Sequence, residues 1–524
     1  MSLSGFKAEW LINYKPKEFA YYNKGVSKVV PELKSGYVKN GFYLKLNNLE
    51  KGQIYYTIDG SLPTKNSLVY NGNIFVNEVK EDLSKVVTSK IWKAPFFDGL
   101  KERKAFVLRS SNNFINNRYS IPDNQTYFFS NDYKLPVVSL MLNPKHFVSD
   151  NEGVYVFGQT GIDSNKWTHK PWWDEFGNYS ERGFKSERRC LVQFFDEKLN
   201  LKFEGDFGVR INGNATRAFP QKSLRIKTSK VYSDKKLNYT FESSTLTQFD
   251  QLVLRNSGND WGKTMIADGV MQSLLKDFKI DKQFFKASVV YVNGEYWGIH
   301  NIRTKFNDNL LADLNNVTTK EVLLLEGNGE VKDGNEKLIS HFNKLIGAIN
   351  NKDKELILSC IDKESFYDYM IAQTFFANQD WPNNNHRFYV LNKEGKKKIK
   401  WVVFDLDYGF GYLGKNQVSK NMFTYLQQHK NTFLVKMFNV LMSDKKCKED
   451  FRKRYLKRLE NDFTQEKALN SINKFKNNIG EEIKYQIARW RYPVSVKEWE
   501  NNIDAFSDFG LKRGLIVKKQ LSAW

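Results

Sequence analysis

Three aspartates and a run of amides sit where they could share an ion. In Trp401-Val-Val-Phe-Asp405-Leu-Asp407-Tyr-Gly-Phe-Gly411 an apolar run ends on two acids separated by one residue. Upstream, Asn378-Gln-Asp380-Trp-Pro-Asn383-Asn384-Asn385 sets a third acid among amides. Carboxylate and amide oxygens are hard donors of the kind that hold magnesium while leaving it waters and phosphate oxygens. The flanking elements must bring these stretches together. Residues Glu364–Phe376 have apolar side chains at 366, 369, 370, 375 and 376, a helical spacing. Two short apolar runs follow, Phe388–Leu391 and Trp401–Phe404, around a turn-like Asn392–Lys397. The pattern predicts helix, loop, strand, turn, strand. A hairpin brings its two ends to one edge, so Asp380 and Asn383–Asn385 would meet Asp405 and Asp407. In an extended segment residues two apart share a face, so both later acids could reach one ion. An Asn-rich turn and an ordinary strand end would give the same residues.

Spacing narrows the choice. The catalytic loop of protein kinases carries an Asp that accepts the substrate hydroxyl proton and, five residues on, an Asn that holds metal; an Asp-Phe-Gly follows a strand later. Asp380 to Asn385 is five residues, and Asp407-Tyr408-Gly409 resembles Asp-Phe-Gly. The usual His-Arg before the catalytic Asp is replaced by Asn378-Gln379. A candidate phosphate lysine lies in Gln221-Lys222-Ser-Leu-Arg225-Ile-Lys227, where Lys222 falls on the face of Leu224 and Ile226. A lysine on an apolar face costs heavily without an anionic partner, unless its head escapes to solvent. Gly205–Asn214 just before it could let backbone N–H groups approach phosphate, with Arg210 or Arg217 supplying charge. After it come a strand at Phe249–Leu254, the polar Arg255–Trp261, and a helix at Thr264–Phe278 whose single mid-helix acid is Asp268. Strands at Ser288–Val292 and Tyr296–Ile302 close on Asn293-Gly294-Glu295, a hairpin signal. Strands, lysine, helix and hairpin follow the order of a kinase small lobe.

These words together resemble the CotH family, atypical protein kinases of the spore-coat protein H type. The matching words are Leu135-Pro-Val-Val-Ser-Leu, Gly208-Val-Arg-Ile-Asn-Gly, Pro220-Gln-Lys-Ser-Leu-Arg, Leu254-Arg-Asn-Ser, Val292-Asn-Gly-Glu-Tyr-Trp-Gly, Asp380-Trp with Asn383–Asn385, and Phe404-Asp-Leu-Asp with Phe410-Gly411. The resemblance runs from about Leu135 to Gly411. It implies transfer of the ATP γ-phosphate to Ser or Thr of a protein acceptor, with Mg2+ or Mn2+. Carried over, Lys222 contacts phosphate, Asp380 is the catalytic-loop acid and Asp405 holds metal. Asn385 is the second metal ligand by spacing, and the Asp-Phe-Gly analogy adds Asp407. Arg210, Arg225, Arg255 and Asp268 complete the set expected around the nucleotide with Lys222. Where relatives often carry Arg-Asp in the first helix, this chain has Ala267-Asp268.

Upstream, Tyr55-Tyr-Thr-Ile-Asp59-Gly-Ser-Leu-Pro-Thr64, with the later Tyr70, resembles the immunoglobulin-like module at the C-terminus of chitobiase-type enzymes. Asp59 reads there as a turn residue. The expected fold class is α+β: an atypical bilobal protein-kinase-like fold preceded by an all-β immunoglobulin-like sandwich. The expected divisions are a lead-in at 1–30, the β-module at 31–130, an N-lobe at 131–303 and a helical C-lobe at 304–524. Beyond Gly411, helices are expected at Asn431–Met442, Phe451–Phe463 and Leu469–Trp490, with Val494–Trp524 packed on them.

With 524 residues, 41% hydrophobic and 15% aromatic, the chain can build several cores and is not of disordered composition. A net charge of +22 suits an anionic surface or acidic partner. Nucleic acid is disfavoured, because the lysines are dispersed and no Arg-rich block, zinc spacing or RNP-type motif is present. Cys190, Cys360 and Cys447 are too scattered for a disulfide framework or a metal cluster and read as buried thiols. No apolar run is long enough to span a bilayer. Met1–Trp10 has no basic-then-apolar leader, which fits a cytoplasmic protein or one whose export signal has been removed. The β-module favours an extracellular or surface setting and a secreted or surface acceptor. Trp167, Trp172 and Trp173 could face a sugar or, more simply, pack under a loop. Three other functions fit the same residues: a kinase fold kept for binding without transfer, a fold repurposed to move AMP or glutamate, and a basic surface for polysaccharide or nucleic acid. The oligomeric state has no signature in the sequence.

Overall fold

The computed structural model describes residues 22–23, 28–78, 83, 86–114, 118–164, 171–229, 231–232 and 235–524. Most of the lead-in and Trp167 lie outside the described residues. The class is α+β, as expected. The chain forms two compact units: 1–237 with 287–300 and 488–491, and 238–286 with 301–487 and 492–524.

The first unit opens with the β-module. Strand Ala105–Phe114 lies antiparallel between Gln53–Thr57 and Asp123–Phe128, and Phe42–Leu44 pairs with Ile74–Val76. Leu44, Ile54, Ile74, Val76, Leu108 and Tyr127 fill the space between these layers. Asp59 is a turn residue: its Oδ1 accepts from the Ser61 N–H at 2.9 Å and the Ser61 hydroxyl at 2.6 Å. Tyr70 donates its hydroxyl to the Gly72 carbonyl and accepts from the Leu46 N–H at 2.9 Å.

A sheet, with short helices beside it in the chain, makes up the rest of this unit. Val137–Met141 pairs antiparallel with Arg188–Phe195 and parallel with Val289–Val292, and Leu201–Asn212 pairs with Arg188–Phe195 and Ser223–Lys227. Two sequence expectations fail here. Gly205–Asn214 is not a loop; up to Asn212 it is strand, with ladder partners along both edges. Its glycine at 208 has a packing reason, since a β-carbon there would collide with the Glu187 carboxyl group. The apolar run Gly153-Val-Tyr-Val-Phe-Gly158 reads as a short strand in the sequence but does not form one. The Val154 and Tyr155 N–H groups bond instead to the His146 and Phe147 carbonyls at 3.2 and 2.9 Å, capping the helix Pro144–Val148. Trp172 packs on Phe219 and edge-on to Trp173, with centroids 5.2 and 5.5 Å away.

The second unit holds a five-stranded sheet in the order Asp281–Lys282, Lys396–Val403, Arg387–Lys393, Val322–Glu326, Glu330–Gly334. The predicted hairpin is there, Arg387–Lys393 with Lys396–Val403. Its turn is tighter than expected, Glu394-Gly395, both at positive φ (52° and 76°), which suits a two-residue connection. The helix before it is Lys363–Phe375, started by Asp362, whose side chain accepts from the Ser365 N–H. It is buried on every face from Ser365 to Phe375, polar residues such as Asp368 and Gln373 included.

The helix expected at Thr264–Phe278 is shorter, Ala267–Leu274. Asp260 captures the N–H groups of Thr264 and Ala267 at 2.9 and 3.0 Å, and Met265 is at φ 63°. The first helical turns are thereby given to a side-chain cap. Leu469–Trp490 divides into Gln465–Gly480 and Ile483–Trp490, while Phe433–Ser443 and Lys445–Asn461 lie near their predicted places. The tail is a single 28-residue helix, Val496–Ala523. Its fully buried Arg513 donates to four backbone carbonyls, those of Thr374, Phe375, Val418 and Lys420, at 2.8 to 2.9 Å. Cys190, Cys360 and Cys447 are buried free thiols. Among the described residues, no helix is long and apolar enough to cross a membrane.

Candidate active site

The second unit brings the two predicted acidic stretches to one place. Helix Lys363–Phe375 delivers the chain into Ala377–Asn385, and strand Lys396–Val403 delivers it into Phe404–Gly411. Three bonds tie these loops. The Phe410 N–H donates to the Phe376 carbonyl at 2.7 Å. Gln417 Nε2 donates to the carbonyls of Ala377 and Tyr408, at 2.8 and 2.9 Å. Phe410 is wedged against Phe506 and Phe509, with ring centroids 4.5 and 4.6 Å away.

Asp405 and Asp407 share one guanidinium. Arg255 Nη2 donates to Asp405 Oδ1 at 2.5 Å and to Asp407 Oδ2 at 2.7 Å. Asp407 is sealed, with its side chain 1% exposed, and also accepts from the Asn259 N–H at 2.7 Å. Asp405 is the accessible acid, 28% exposed at its side chain. Ser257 and Gly258, at φ 80° and 63°, turn the chain so that the Asn259 N–H faces Asp407. A β-carbon at Gly258 would collide with Asp407 Oδ2 and Arg255 Nη2, so the cradle requires glycine. Burial, and then the charge of Asp405, push the Asp407 carboxyl up. Burial also acts to raise Asp405, but Arg255, followed by Arg303 and Arg387, outweighs it and holds that group below the usual carboxylate range.

Asp380 lies within electrostatic reach of Asp405. Its oxygens accept from Asn384 Nδ2 at 2.8 Å and Asn385 Nδ2 at 2.6 Å. Asn385 takes the left-handed conformation, φ 52°. The neighbouring Trp381 is fully buried and anchors the loop against Tyr369. Burial, opposed by the Asn384 bond and assisted by Asp405, raises the Asp380 pKa. A half-buried carboxylate with raised pKa is a better proton acceptor than a free one.

Asp268 accepts from the Leu406 N–H at 3.1 Å and is ion-paired to Arg303; the partner the fold gives it is thus an arginine. Arg303 is 1% exposed. A cavity of about 710 Å³ opens beside Asp407, lined among others by Lys263, Tyr412, Asn502, Phe506 and Phe509.

The other predicted residues lie in the first unit. Lys222 is fully buried just before strand Ser223–Lys227. Its ammonium donates to the Phe219 carbonyl at 2.6 Å and sits 4.0 Å from the Tyr179 ring centroid. Burial, then Arg217, pushes its pKa well down. Arg210 and Arg225 are directly opposed in the ladder, and Arg210 approaches the buried Glu187 at 3.6 Å. Arg217 is structural: it donates to the carbonyls of Ile211, Gly213, Tyr179 and Glu181.

Sequence reasoning missed Asn259, Arg303 and Gln417. Asn259 had a signal, the glycine- and amide-rich turn directly after a buried strand. Arg303 had another, a lone guanidinium in the buried strand Glu295–Thr304. Gln417 had none; a single Gln in a connecting segment carries no pattern.

The family model described as CotH kinase protein matches residues 209–517, more than half of the chain. The protein therefore belongs to the CotH kinase family. The match begins later than the sequence resemblance and continues through the helical end. The chitobiase/beta-hexosaminidase C-terminal domain matches residues 33–86. No match was found among curated proteins. Among solved structures, the crystal structure of a Helicobacter pylori proinflammatory kinase, CtkA, is 14% identical, covering 60% of this chain and 92% of that one with a TM-score of 0.20. At that score no residue correspondence follows.

Proposed function

We propose that the protein is a protein kinase that transfers the ATP γ-phosphate to a Ser or Thr hydroxyl of a secreted or surface protein, with Mg2+ or Mn2+. The observation that carries this reading is charge imbalance: two carboxylates, Asp405 and Asp407, share one arginine, with a third acid, Asp380, in electrostatic reach. The donor set is hard oxygen and anionic, which fits a divalent cation. Asp405, with Asp407 and Asn385, would hold it. When bound, the cation neutralises charge on the phosphates. Asp380 accepts the hydroxyl proton at a carboxylate oxygen, and Asn384 and Asn385 fix the orientation of that carboxylate. Arg255, already oriented by two acids, offsets negative charge beside the transferring group. Lys222, with Arg210 and Arg225, belongs to the nucleotide side in this reading, as the family resemblance implies.

The test is phosphate transfer from radiolabelled ATP by the full chain, with Mg2+ or Mn2+ and a generic acceptor such as casein. Asp380→Asn should lower the rate roughly 10²–10⁴-fold, the usual range for a general base. Wild-type rates from Asp380→Asn and from Asp405→Asn would sink the proposal.

A second reading has its own support. Arg255 already bridges both acids, and the Lys222 ammonium is already spent on the Phe219 carbonyl. A kinase fold kept for binding alone would look this way. Calorimetry separates the two, because such a protein would take up no Mg-ATP.

A further inference from the structure

The backbone of Asp405 is in the left-handed region, φ 56°. A non-glycine residue rarely adopts this conformation, and it persists where the surroundings over-determine it. The surroundings here can be named. The next residue, Leu406, is fully buried. Its N–H donates to Asp268 Oδ1 at 3.1 Å, and its carbonyl accepts from the Gly409 N–H at 2.9 Å. Leu406, the residue that follows Asp405, is therefore held through both its N–H and its carbonyl. The gripping carboxylate is itself fixed: Asp268 is 5% exposed, stands in the first turn of helix Ala267–Leu274, and has its second oxygen on Arg303. The start of that helix is held in turn by Asp260.

We infer that Asp268 is a positioning residue, which holds Asp405 in its left-handed conformation through the Leu406 N–H while Arg303 fixes the aim of its carboxylate. This rests on the reading of Asp405 as the metal-holding acid. Both Asp268 oxygens are committed inside the fold, so Asp268 acts through Asp405 rather than on the nucleotide. A plain structural ion pair makes a different forecast: its replacement by apolar residues of similar volume would leave the loop untouched.

Two double variants of the full chain separate these cases. Asp268→Asn with Arg303→Met removes the ion pair and keeps an oxygen for the Leu406 N–H. Asp268→Leu with Arg303→Met removes both. Two readouts are needed, Mn2+ affinity by calorimetry without ATP and hydrogen exchange at the Leu406 amide. The Asn/Met protein should bind Mn2+ within about 3-fold of wild type and keep the amide protected. The Leu/Met protein should lose roughly 10–100-fold in Mn2+ affinity, the range for residues that orient a ligand, and its amide should exchange faster. Equal affinity and equal protection in the two variants would overturn the inference. So would an unprotected Leu406 amide in wild type, a measurement that needs no variant to fold. A wild type that protects this amide, with the predicted difference in amide exchange between variants, yet binds no Mn2+, would uphold the clamp and remove the metal reading instead.

Discussion

Two buried charge clusters in the same unit are built in opposite proportions. At Asp368, one fully buried carboxylate receives two arginines: Arg454 donates at 2.8 and 2.8 Å, Arg458 at 3.2 and 2.8 Å, and the Lys279 N–H adds a fifth bond at 2.7 Å. At Asp405 and Asp407, two carboxylates receive one arginine. The outcomes differ accordingly. Burial acts to raise the Asp368 pKa, but its hydrogen bonds to Arg454 and Arg458 outweigh it and hold the group low. Burial and mutual repulsion drive Asp407 up. The first cluster is complete and has nothing left to bind. The second is short of positive charge, because the nearby Arg303 and Arg387 are engaged by Asp268 and Glu326. Buried acid is thus not itself the mark of a site; the unpaired remainder is.

This contrast can be broken by mutation. The largest effect is expected at Asp405→Asn, which should reduce phosphate transfer by about 10³-fold or more while leaving the melting temperature near wild type; a steady-state assay with a thermal melt checks both. Asp368→Ala should do the reverse. It strands two arginines and should destabilise by about 3–5 kcal/mol, read by urea unfolding, without weakening Mn2+ binding in calorimetry. Arg454→Ala should cost less, about 1.5–3 kcal/mol in the same unfolding experiment, since Arg458 and the Lys279 N–H stay on the carboxylate. The pH response sharpens the comparison further. The Asp368 pKa is lower folded than unfolded, so its contribution is present above the ordinary value of 3.8 and is lost as pH falls through that value and below. Acid unfolding of wild type should be steep there, and Asp368→Asn should flatten it.

The hairpin and its two acidic ends were legible because each has a local cause: alternating apolar runs, a turn and a strand end. The five-residue interval from Asp380 to Asn385 was legible for the same reason, and those residues do bond to each other. The long strand at Leu201–Asn212 was not, because glycine and asparagine there answer to neighbours such as Glu187, which only the folded ladder supplies. The bond from Leu406 to Asp268 joins residues 138 apart in the chain, and no local pattern encodes it.

Arg513 makes the loops dependent on helix Val496–Ala523, far from both along the chain. Its guanidinium satisfies the carbonyls of Thr374 and Phe375, which lead into the Asp380 loop, and those of Val418 and Lys420, which leave the Asp407 loop. A nascent chain still short of that residue has both loops in hand but lacks the donor that fastens them. The two loops are therefore not fastened until Arg513 has been made, and a protease cut ahead of it would release both from a position remote in sequence from their acids.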